Sequence, residues 1–406
     1  MFFFKNASLL TNYIICLFFI VFFIFNNLNI PLVLISLLFI WVKLNIGGKD
    51  PDNINHLPRI NIYIFLFLLS LLISAFFSSN SSASIRVILH VIPGVMLYLL
   101  IAEKFDINKI NCLFHTFTTI TIIISIILLF NYWSYPLKNV RELVKVSNFL
   151  FMFTPNDTVI LSFFSFFSFY ILTTTTDKKI QLFSLIGILL ALTTVVIYQS
   201  RLAILINILF ALLYLYSIQG LKQSNKKHIF IVLILVPLII LVIDMFNQFT
   251  LLNKLTNLTT LQHRYHLWLA AWDIFLQHPL LGSGSGSYIF LYQNILDSYG
   301  FIEFKNQRTP WPHGVFIELL AEQGIIGYSL FVLIIIQNFM HIFQLNSVVH
   351  SQHPACQLNK FLIFINICYL FCLVFELTLH RTWVSFFLFT LLGISQLTLY
   401  KNKKNI

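Results

Sequence analysis

One histidine in the chain stands in a setting that suits proton transfer. The segment 309–314 reads Thr-Pro-Trp-Pro-His-Gly and precedes a long apolar run. Thr is a good helix N-cap and Pro suits the first turn, so the sequence predicts that His313 lies in the first turn of a helix. The positive helix end disfavours an imidazolium, which predicts a neutral ring able to accept a proton as a general base. The competing interpretation is an ordinary histidine at a membrane interface.

Two glycines follow His313 at helical spacing. On a continuous helix, Gly324 and Gly327 would lie within roughly 40° of His313, and so would Leu320. Such a stripe of small residues lets another helix or a lipid chain approach closely. Glu318 and Glu322 would lie on the opposite side of that helix. They are expected to be structural, or to pair with an arginine from another segment.

Two arginines occupy places where a guanidinium could recognise an anion. Arg201 follows Gln-Ser between two apolar runs, where a lone charge is costly unless it is paired or reaches the interface. Arg264, Trp268 and Trp272 recur at every fourth residue and predict an amphipathic helix over 261–277. A guanidinium suits bidentate binding of phosphate or carboxylate. The simpler interpretation is that these residues only anchor helix ends.

Nothing in the sequence predicts a metal, a nucleotide or another cofactor. His263 and His266 are close together but have no accompanying carboxylate, and the five cysteines form no C-x-x-C pair. The Gly/Ser run at 282–287 lacks the lysine and the strand-to-helix setting of a phosphate-binding loop. We therefore expect no metal and no cofactor.

The elements that position these residues must be membrane helices. Hydrophobic residues make up 58% of the 406 residues and charged residues 10%, with a mean hydropathy of +0.87. Soluble domains carry about 25% charged residues, so a soluble enzyme is excluded. An all-α polytopic membrane protein remains. Its twelve apolar segments of near-spanning length are 8–26, 29–45, 60–77, 84–102, 112–132, 157–174, 180–197, 201–219, 229–246, 324–345, 360–378 and 382–400.

Charge distribution predicts the orientation. With twelve spans both termini share a side, and 15 of the 25 Lys and Arg residues then fall on that side. Cytoplasmic loops carry the excess of positive charge, so we expect both termini in the cytoplasm and the net charge of +11 to reflect topology, with no nucleic acid bound. The predicted organisation is spans one to nine in 1–246, a large periplasmic loop in 247–323, and spans ten to twelve in 324–406.

Three blocks of sequence together resemble the bacterial O-antigen ligase family, part of the superfamily of O-antigen ligases and polymerases. The first is Gln-Ser-Arg ending at Arg201. The second runs from Arg264 and Trp268 to Pro-Leu-Leu-Gly-Ser-Gly at 279–284, which contains Gly282 and Gly284. The third is His313-Gly314 followed by Gly-Ile-Ile-Gly at 324–327, which is similar to the motif H-N-x9-G-x-x-G. One departure is Gly314, where the family usually has Asn.

The resemblance implies glycan transfer at the periplasmic face of the bacterial inner membrane. The donor would be a glycan on undecaprenyl diphosphate, and the acceptor a sugar hydroxyl of lipid A–core. His313 would be the general base, and Arg201 and Arg264 would bind the diphosphate, with inversion at the anomeric carbon and no metal or ATP. Further substrate contacts are expected from Arg86, Trp268 and Arg308. Gly282, Gly284, Gly324 and Gly327 are expected to serve packing, and membrane lipid would surround the spans.

Four alternatives stay open. One is a protein O-glycan transferase, although such enzymes usually carry a longer tail outside the membrane. An O-antigen polymerase would use the same donor with another lipid-linked glycan as acceptor. A flippase for lipid-linked glycans would also have many spans, but it predicts two related halves, and the candidate residues cluster in one half of the chain. A structural membrane scaffold would tolerate changes at His313 and Arg201.

Overall fold

The computed structural model of the chain describes residues 2–24, 59–78, 80–134, 155–217, 259–300, 311–348 and 354–404. Within these ranges the regular structure is helical throughout. The α-helices are α1 (Phe2–Ile24), α2 (Arg59–Phe76), α3 (Ser81–Lys104), α4 (Ile110–Ser134), α5 (Val159–Thr174), α6 (Lys178–Ile197), α7 (Arg201–Ser217), α8 (Thr259–Gln277), α9 (Tyr288–Ser298), α10 (Val315–Val348), α11 (Pro354–Phe375) and α12 (Thr382–Lys404).

Ten of these helices are strongly apolar. Six contain stretches long and apolar enough to cross a membrane (α2, α3, α4, α6, α10 and α11), and α1, α5, α7 and α12 contain shorter apolar stretches. These are the helices of a multi-pass membrane protein. They coincide with ten of the twelve predicted spans. The other two, 29–45 and 229–246, lie outside the described residues, so the count of twelve stays a prediction.

The chain divides into two packed units. The first unit comprises Met1–Asn29, Phe105–Asn257 and His350–Cys368. The second comprises Ile30–Lys104, Leu258–Val349 and Tyr369–Ile406. The boundaries predicted at 246 and 323 concern membrane segments rather than packing units, and they stay predictions.

Helix α5 forms the centre of the first unit. Every side chain from Val159 to Thr173 is buried, which suits a helix that is apolar all round. Phe166 stacks on Phe210 of α7 with ring centroids 3.9 Å apart. The Ser168 hydroxyl lies 2.9 Å from that of Thr118 on α4. Small polar residues between the aromatic ones let the helices approach and join them by hydrogen bonds.

In the second unit, α3 and α12 pack closely along their length. A Cβ atom at Gly94 would lie 2.8 Å from the ring of Phe389 and 2.9 Å from the carbonyl oxygen of Ser385. Gly393 makes the same kind of close approach to Ile101. Glycine is needed at both places because a side chain would force the helices apart.

Helix α10 is interrupted at Gly324. This residue has φ 61° and ψ −167°, which divides the helix into segments 315–323 and 325–348. The predicted stripe from His313 through Leu320 to Gly324 and Gly327 requires a continuous helix and is therefore wrong. The helix begins at Val315, before the predicted tenth span of 324–345. Gly327 lies after the interruption, against the side chain of Gln323.

The loop between α8 and α9 fills this interruption. The break frees carbonyl and amide groups of α10, and main-chain atoms of the loop satisfy them. The bonds run from Ser283 N to Ala321 O (3.0 Å), Gly284 N to Glu322 O (3.0 Å), Ile325 N to Pro279 O (2.8 Å) and Ile326 N to Leu280 O (3.3 Å). The Pro-Leu-Leu-Gly-Ser-Gly block and the Gly-Ile-Ile-Gly block are thus two sides of one junction, which we call the 279–284/321–326 junction.

Glycines at this junction have no room for a side chain. A Cβ atom at Gly282 would overlap the main chain of Glu322, and one at Gly324 would overlap the carbonyl oxygen of Leu280. A Cβ atom at Gly284 would overlap the side chain of Ser78. All three glycines also have positive φ angles, which favour glycine independently of the space.

Replacing Gly324 with Ala tests the junction. With φ 61° and ψ −167°, Gly324 occupies a region that is essentially restricted to glycine, so Ala there costs about 1–3 kcal/mol by itself. The collision with Leu280 should add to that cost in Gly324→Ala. Gly300→Ala is the matched control, because Gly300 has φ 73° but nothing within 4 Å of its Cβ position. Melting temperatures of the purified proteins in detergent should fall clearly further for Gly324→Ala. Equal falls would mean that the junction adds nothing to stability.

Candidate active site

His313 lies just before α10, not inside it. Its φ is 57°, and the only other non-glycine residue with positive φ in the described ranges is Gln199. The helix begins at Val315, and the Glu318 amide donates to the carbonyl oxygen of Gly314 at 3.0 Å. The prediction that His313 occupies the first helical turn is therefore wrong. A left-handed backbone is unfavourable for a residue with a side chain, and such positions concentrate at functional sites.

Gly314 explains how this unusual turn is accommodated. A Cβ atom there would lie 2.6 Å from the carbonyl oxygen of Val374, near the end of α11. The backbone at Gly314 therefore approaches α11 too closely for any larger residue. The asparagine that is usual in the family would not fit this arrangement, so a polar partner for His313 must come from elsewhere.

That partner is Glu376. The Nδ1 atom of His313 lies 3.2 Å from Oε1 of Glu376. The other carboxylate oxygen forms an ion pair with Nη2 of Arg264, and Nη1 of Arg264 donates to the carbonyl oxygen of Phe375 at 2.9 Å. The Glu376 side chain is 5% exposed, that of His313 24% and that of Arg264 20%. We call these three residues the Glu376 cluster.

The Glu376 cluster is suited to general-base chemistry. When Nδ1 carries the proton and donates it to the carboxylate, the lone pair of Nε2 is left to accept a proton from a substrate. The carboxylate also stabilises the imidazolium that forms when the ring accepts that proton, as in catalytic triads. The neutral ring was predicted from a helix dipole, whereas in the structure the carboxylate of Glu376 fixes the orientation of the ring.

Trp268 supports the loop that carries His313. Its Nε1–H donates to the carbonyl oxygen of Pro312 at 2.9 Å, and its ring lies 6.4 Å from that of Phe375. Trp268 follows Arg264 by one turn of α8, so both point to the end of α11. Its predicted role as a substrate contact stays a prediction.

A second group of charges surrounds His380. Its Nε2 lies 3.0 Å from Oε2 of Glu322 and 3.7 Å from Oε1 of Glu318. Oε1 of Glu318 also accepts from the amide of Leu379 at 3.2 Å. Burial alone would lower the pKa of His380, but the charges of Glu322 and Glu318 outweigh it and raise the pKa to about 9. We call Glu318, Glu322 and His380 the His380 cluster.

The His380 cluster also ties the surrounding loops together. Glu322 accepts hydrogen bonds from the amide of Gly286 at 2.8 Å and from that of Tyr288 at 3.2 Å, at the start of α9. The ligand atoms of its three side chains lie within 4.8 Å of one another, and residues of these kinds could hold a metal ion. A protonated His380 neutralises part of the negative charge of Glu318 and Glu322. Sequence reasoning expected Glu318 and Glu322 to be structural or arginine-bound, and their partner is a histidine.

The short connection between α11 and α12 supplies residues to both clusters. We call it the 376–382 segment. Beyond Glu376 and His380 it carries Arg381, whose Cζ lies 4.6 Å from the centre of the Trp311 ring. That ring lies 6.3 Å from the ring of His313. Thr382, at the end of the segment, hydrogen-bonds through Oγ1 to Nδ1 of His90 on α3.

The remaining predicted residues lie elsewhere. Arg201 begins α7 in the first unit and is half-buried, after a sharp turn at Gln199. Arg86 is exposed on α3 in the second unit. Arg308 falls outside the described residues. Of the predicted catalytic and substrate-binding residues, the structure therefore brings Arg264, Trp268 and His313 together.

Comparison with known families adds an independent observation. Residues 186–332, about a third of the chain, match a family model described as O-antigen ligase. Over this stretch the chain is similar to the O-antigen ligase family. The family covers O-antigen ligases and polymerases. A search of curated proteins finds no match to this chain. The matched stretch includes Arg201, Arg264 and His313, whereas the 376–382 segment lies beyond it.

Sequence reasoning missed Glu376, His380 and Arg381 as site residues. They follow His313 by more than 60 residues and belong to no recognised motif. One signal could have found the first of them. Glu376 falls within the predicted span 360–378, and an ionisable residue inside a span marks a functional position by default.

The raised pKa of His380 predicts a pH-dependent stability. A histidine with a folded pKa above its ordinary value of 6.5 stabilises fully below that value and loses the contribution as pH rises through about 9. His380→Gln should therefore lower the melting temperature at pH 6.5, and the difference from wild type should shrink towards pH 10. His278→Gln, at an exposed position of the same unit, is the control. A difference that stays constant with pH would contradict the charged His380.

Proposed function

We propose that this protein is an O-antigen ligase. It transfers a glycan from undecaprenyl diphosphate to a sugar hydroxyl of lipid A–core, at the periplasmic face of the bacterial inner membrane. The observation that carries the proposal is the Glu376 cluster, in which the histidine and the arginine of two separate family blocks share one buried carboxylate. Composition, helices and the family match all support a membrane glycosyltransferase.

In the proposed reaction His313 acts as the general base. Its Nε2 takes the proton of the acceptor hydroxyl as the hydroxyl oxygen attacks the anomeric carbon of the donor sugar. The bond between that carbon and the diphosphate oxygen breaks, and undecaprenyl diphosphate leaves with the electron pair. Because the attack is direct, the anomeric configuration is inverted. The resulting imidazolium is stabilised by Glu376, 3.2 Å from Nδ1.

Arginines are proposed to stabilise the leaving diphosphate, whose negative charge grows as the bond breaks. Arg201 stands in the first turn of α7. The positive end of this helix favours an anion, so the helix end and the guanidinium would both attract a phosphate. Arg264 gives one amino group to Glu376 and another to the main chain, and it has five N–H donors in all. Trp268, Arg86 and Arg308 are the candidates for further contacts with substrate.

This reaction requires neither a metal nor a nucleotide. The glycan is already activated by the diphosphate to which it is attached, so no further group transfer is needed. A polymerase would use the same donor and chemistry but a second lipid-linked glycan as the acceptor. The acceptor is therefore what distinguishes the two functions.

Deletion of the gene, followed by a gel of the surface lipopolysaccharide, tests the function. For a ligase, capped lipid A–core should disappear while the lipid-linked glycan still accumulates at the outer face of the inner membrane. Lipid A–core that carries single repeats would indicate a polymerase. A donor confined to the inner leaflet would indicate a flippase, and an unchanged gel would overturn all three.

Substitutions in the Glu376 cluster test the mechanism. General-base help is typically worth about 10²–10⁴-fold, so His313→Gln should lose transfer on that scale while the protein still accumulates and binds lipid-linked donor. Glu376→Gln keeps a hydrogen-bond acceptor but removes the negative charge that stabilises the imidazolium. Its loss of transfer should be smaller than that of His313→Gln, because the base itself remains. Near wild-type transfer by purified His313→Gln in lipid would rule out the base.

A further inference from the structure

The charges of the His380 cluster do not cancel within the cluster. The side chains of Glu318 and Glu322 are 2% and 4% exposed. Even when His380 is protonated, two carboxylates face one imidazolium, so the three side chains carry a net charge of −1. A buried net charge is costly unless a further group compensates it. Both carboxylates also belong to α10, which contains a stretch apolar and long enough to span the membrane, and ionisable residues in such helices mark functional positions.

We propose that the His380 cluster binds a divalent metal ion of the zinc type through Glu318, Glu322 and Nε2 of His380. Imidazole together with carboxylate suits Zn²⁺, whereas Mg²⁺ and Ca²⁺ prefer oxygen ligands alone. The ion would hold the loops of the second unit together and would take no part in glycan transfer. The inference therefore stands apart from the proposed function.

The first observation that supports the site is the spacing of the ligand atoms. Nε2 of His380 lies 3.0 Å from Oε2 of Glu322 and 3.7 Å from Oε1 of Glu318, and ligand atoms of all three residues lie within 4.8 Å of one another. In a tetrahedral site with bonds of about 2.0–2.2 Å, the ligand atoms are about 3.3–3.6 Å apart. Both nitrogen–oxygen distances lie close to that range, so small side-chain shifts would close the three ligands around an ion.

The second observation is a carboxylate oxygen without a donor. Oε2 of Glu318 is buried and has no hydrogen-bond partner among the described residues. It belongs to the carboxylate whose other oxygen faces His380 and accepts from the Leu379 amide. A buried charged acceptor without a partner is costly, so such an atom calls for an explanation. A bound cation would compensate this oxygen and the net negative charge together.

The third observation is that the ligands are already oriented. The carboxylate of Glu322 accepts hydrogen bonds from the amides of Gly286 and Tyr288 at 2.8 and 3.2 Å. Hydrogen bonds of this kind to a ligating carboxylate fix its direction and strengthen metal binding. A histidine ligates as the neutral imidazole, so the ion would replace the proton of His380 and occupy the same place between the carboxylates.

The test measures the binding of Zn²⁺ alone. The full-length protein is purified in detergent, freed of metal with a chelator, and titrated with Zn²⁺ by calorimetry at neutral pH with Mg²⁺ in excess. Loss of a residue that merely orients a ligand costs about 10–100-fold in metal affinity. Loss of a ligand itself, in Glu318→Gln or His380→Gln, should therefore weaken Zn²⁺ binding by more than about 100-fold.

Two matched controls stand beside these variants. Glu103→Gln and His278→Gln make the same chemical changes at exposed positions of the same unit. Both should bind Zn²⁺ with the affinity of the wild type. Zinc held by surface histidines would not distinguish the four variants, whereas zinc held by the His380 cluster would be lost from Glu318→Gln and His380→Gln alone.

Melting temperatures separate a lost ligand from a damaged fold. Glu318→Gln removes the unbalanced negative charge and leaves His380 paired with Glu322, so without metal it should melt close to the wild type. A ligand that binds the folded state stabilises it. Zn²⁺ should therefore raise the melting temperature of the wild type and of both controls, and should leave that of Glu318→Gln unchanged.

Two results would overturn the inference. One is Zn²⁺ binding of equal strength in the wild type, Glu318→Gln and His380→Gln, which would mean an adventitious ion only. The other is a wild-type melting temperature that does not rise with Zn²⁺. That result would mean that the proton of His380 and the amide hydrogen bonds are all that compensates the two carboxylates.

Discussion

A carboxylate with 5% of its side chain exposed has to be matched by donors, and Glu376 obtains them from two distant parts of the chain. Arg264 comes from α8 and His313 from the turn before α10, so one carboxylate fixes both against the end of α11. Removing either partner would leave the carboxylate incompletely compensated. Folding of the second unit and assembly of the candidate site therefore depend on the same bonds.

The 376–382 segment concentrates this dependence in a few residues. At one end, Glu376 orients His313. In the middle, His380 lies between the carboxylates of Glu318 and Glu322. At the other end, Thr382 bonds to His90 on α3. Ionisable groups gathered between helices can satisfy one another, which leaves the helix surfaces apolar for the lipid. Apolar helices tolerate such groups only where they compensate one another in this way.

Much of this arrangement is readable from sequence, and the remainder has identifiable causes. Hydropathy locates ten of the apolar helices because a membrane span requires a long uninterrupted apolar run. Hydropathy does not predict the interruption at Gly324. Glycine occurs both in close helix contacts and at positions of positive φ, so its presence does not distinguish the two. The wrong placement of His313 follows from taking Thr309 as the N-cap, whereas the helix begins at Val315. The pairing of Glu376 with His313 escapes it too, because a contact across 63 residues leaves no periodic pattern.

The 279–284/321–326 junction is held by main-chain atoms, and this has a consequence for how the protein could diversify. Leu280, Ile325 and Ile326 contribute only their backbone groups to it, while their side chains point outward with 65%, 41% and 43% exposure. The joint requires glycine at Gly282, Gly284 and Gly324, because a side chain there would collide with neighbouring atoms. Its outer surface is formed by side chains that make none of its bonds. Changes to these three side chains would therefore alter the outer surface of the joint and leave its main-chain bonds in place.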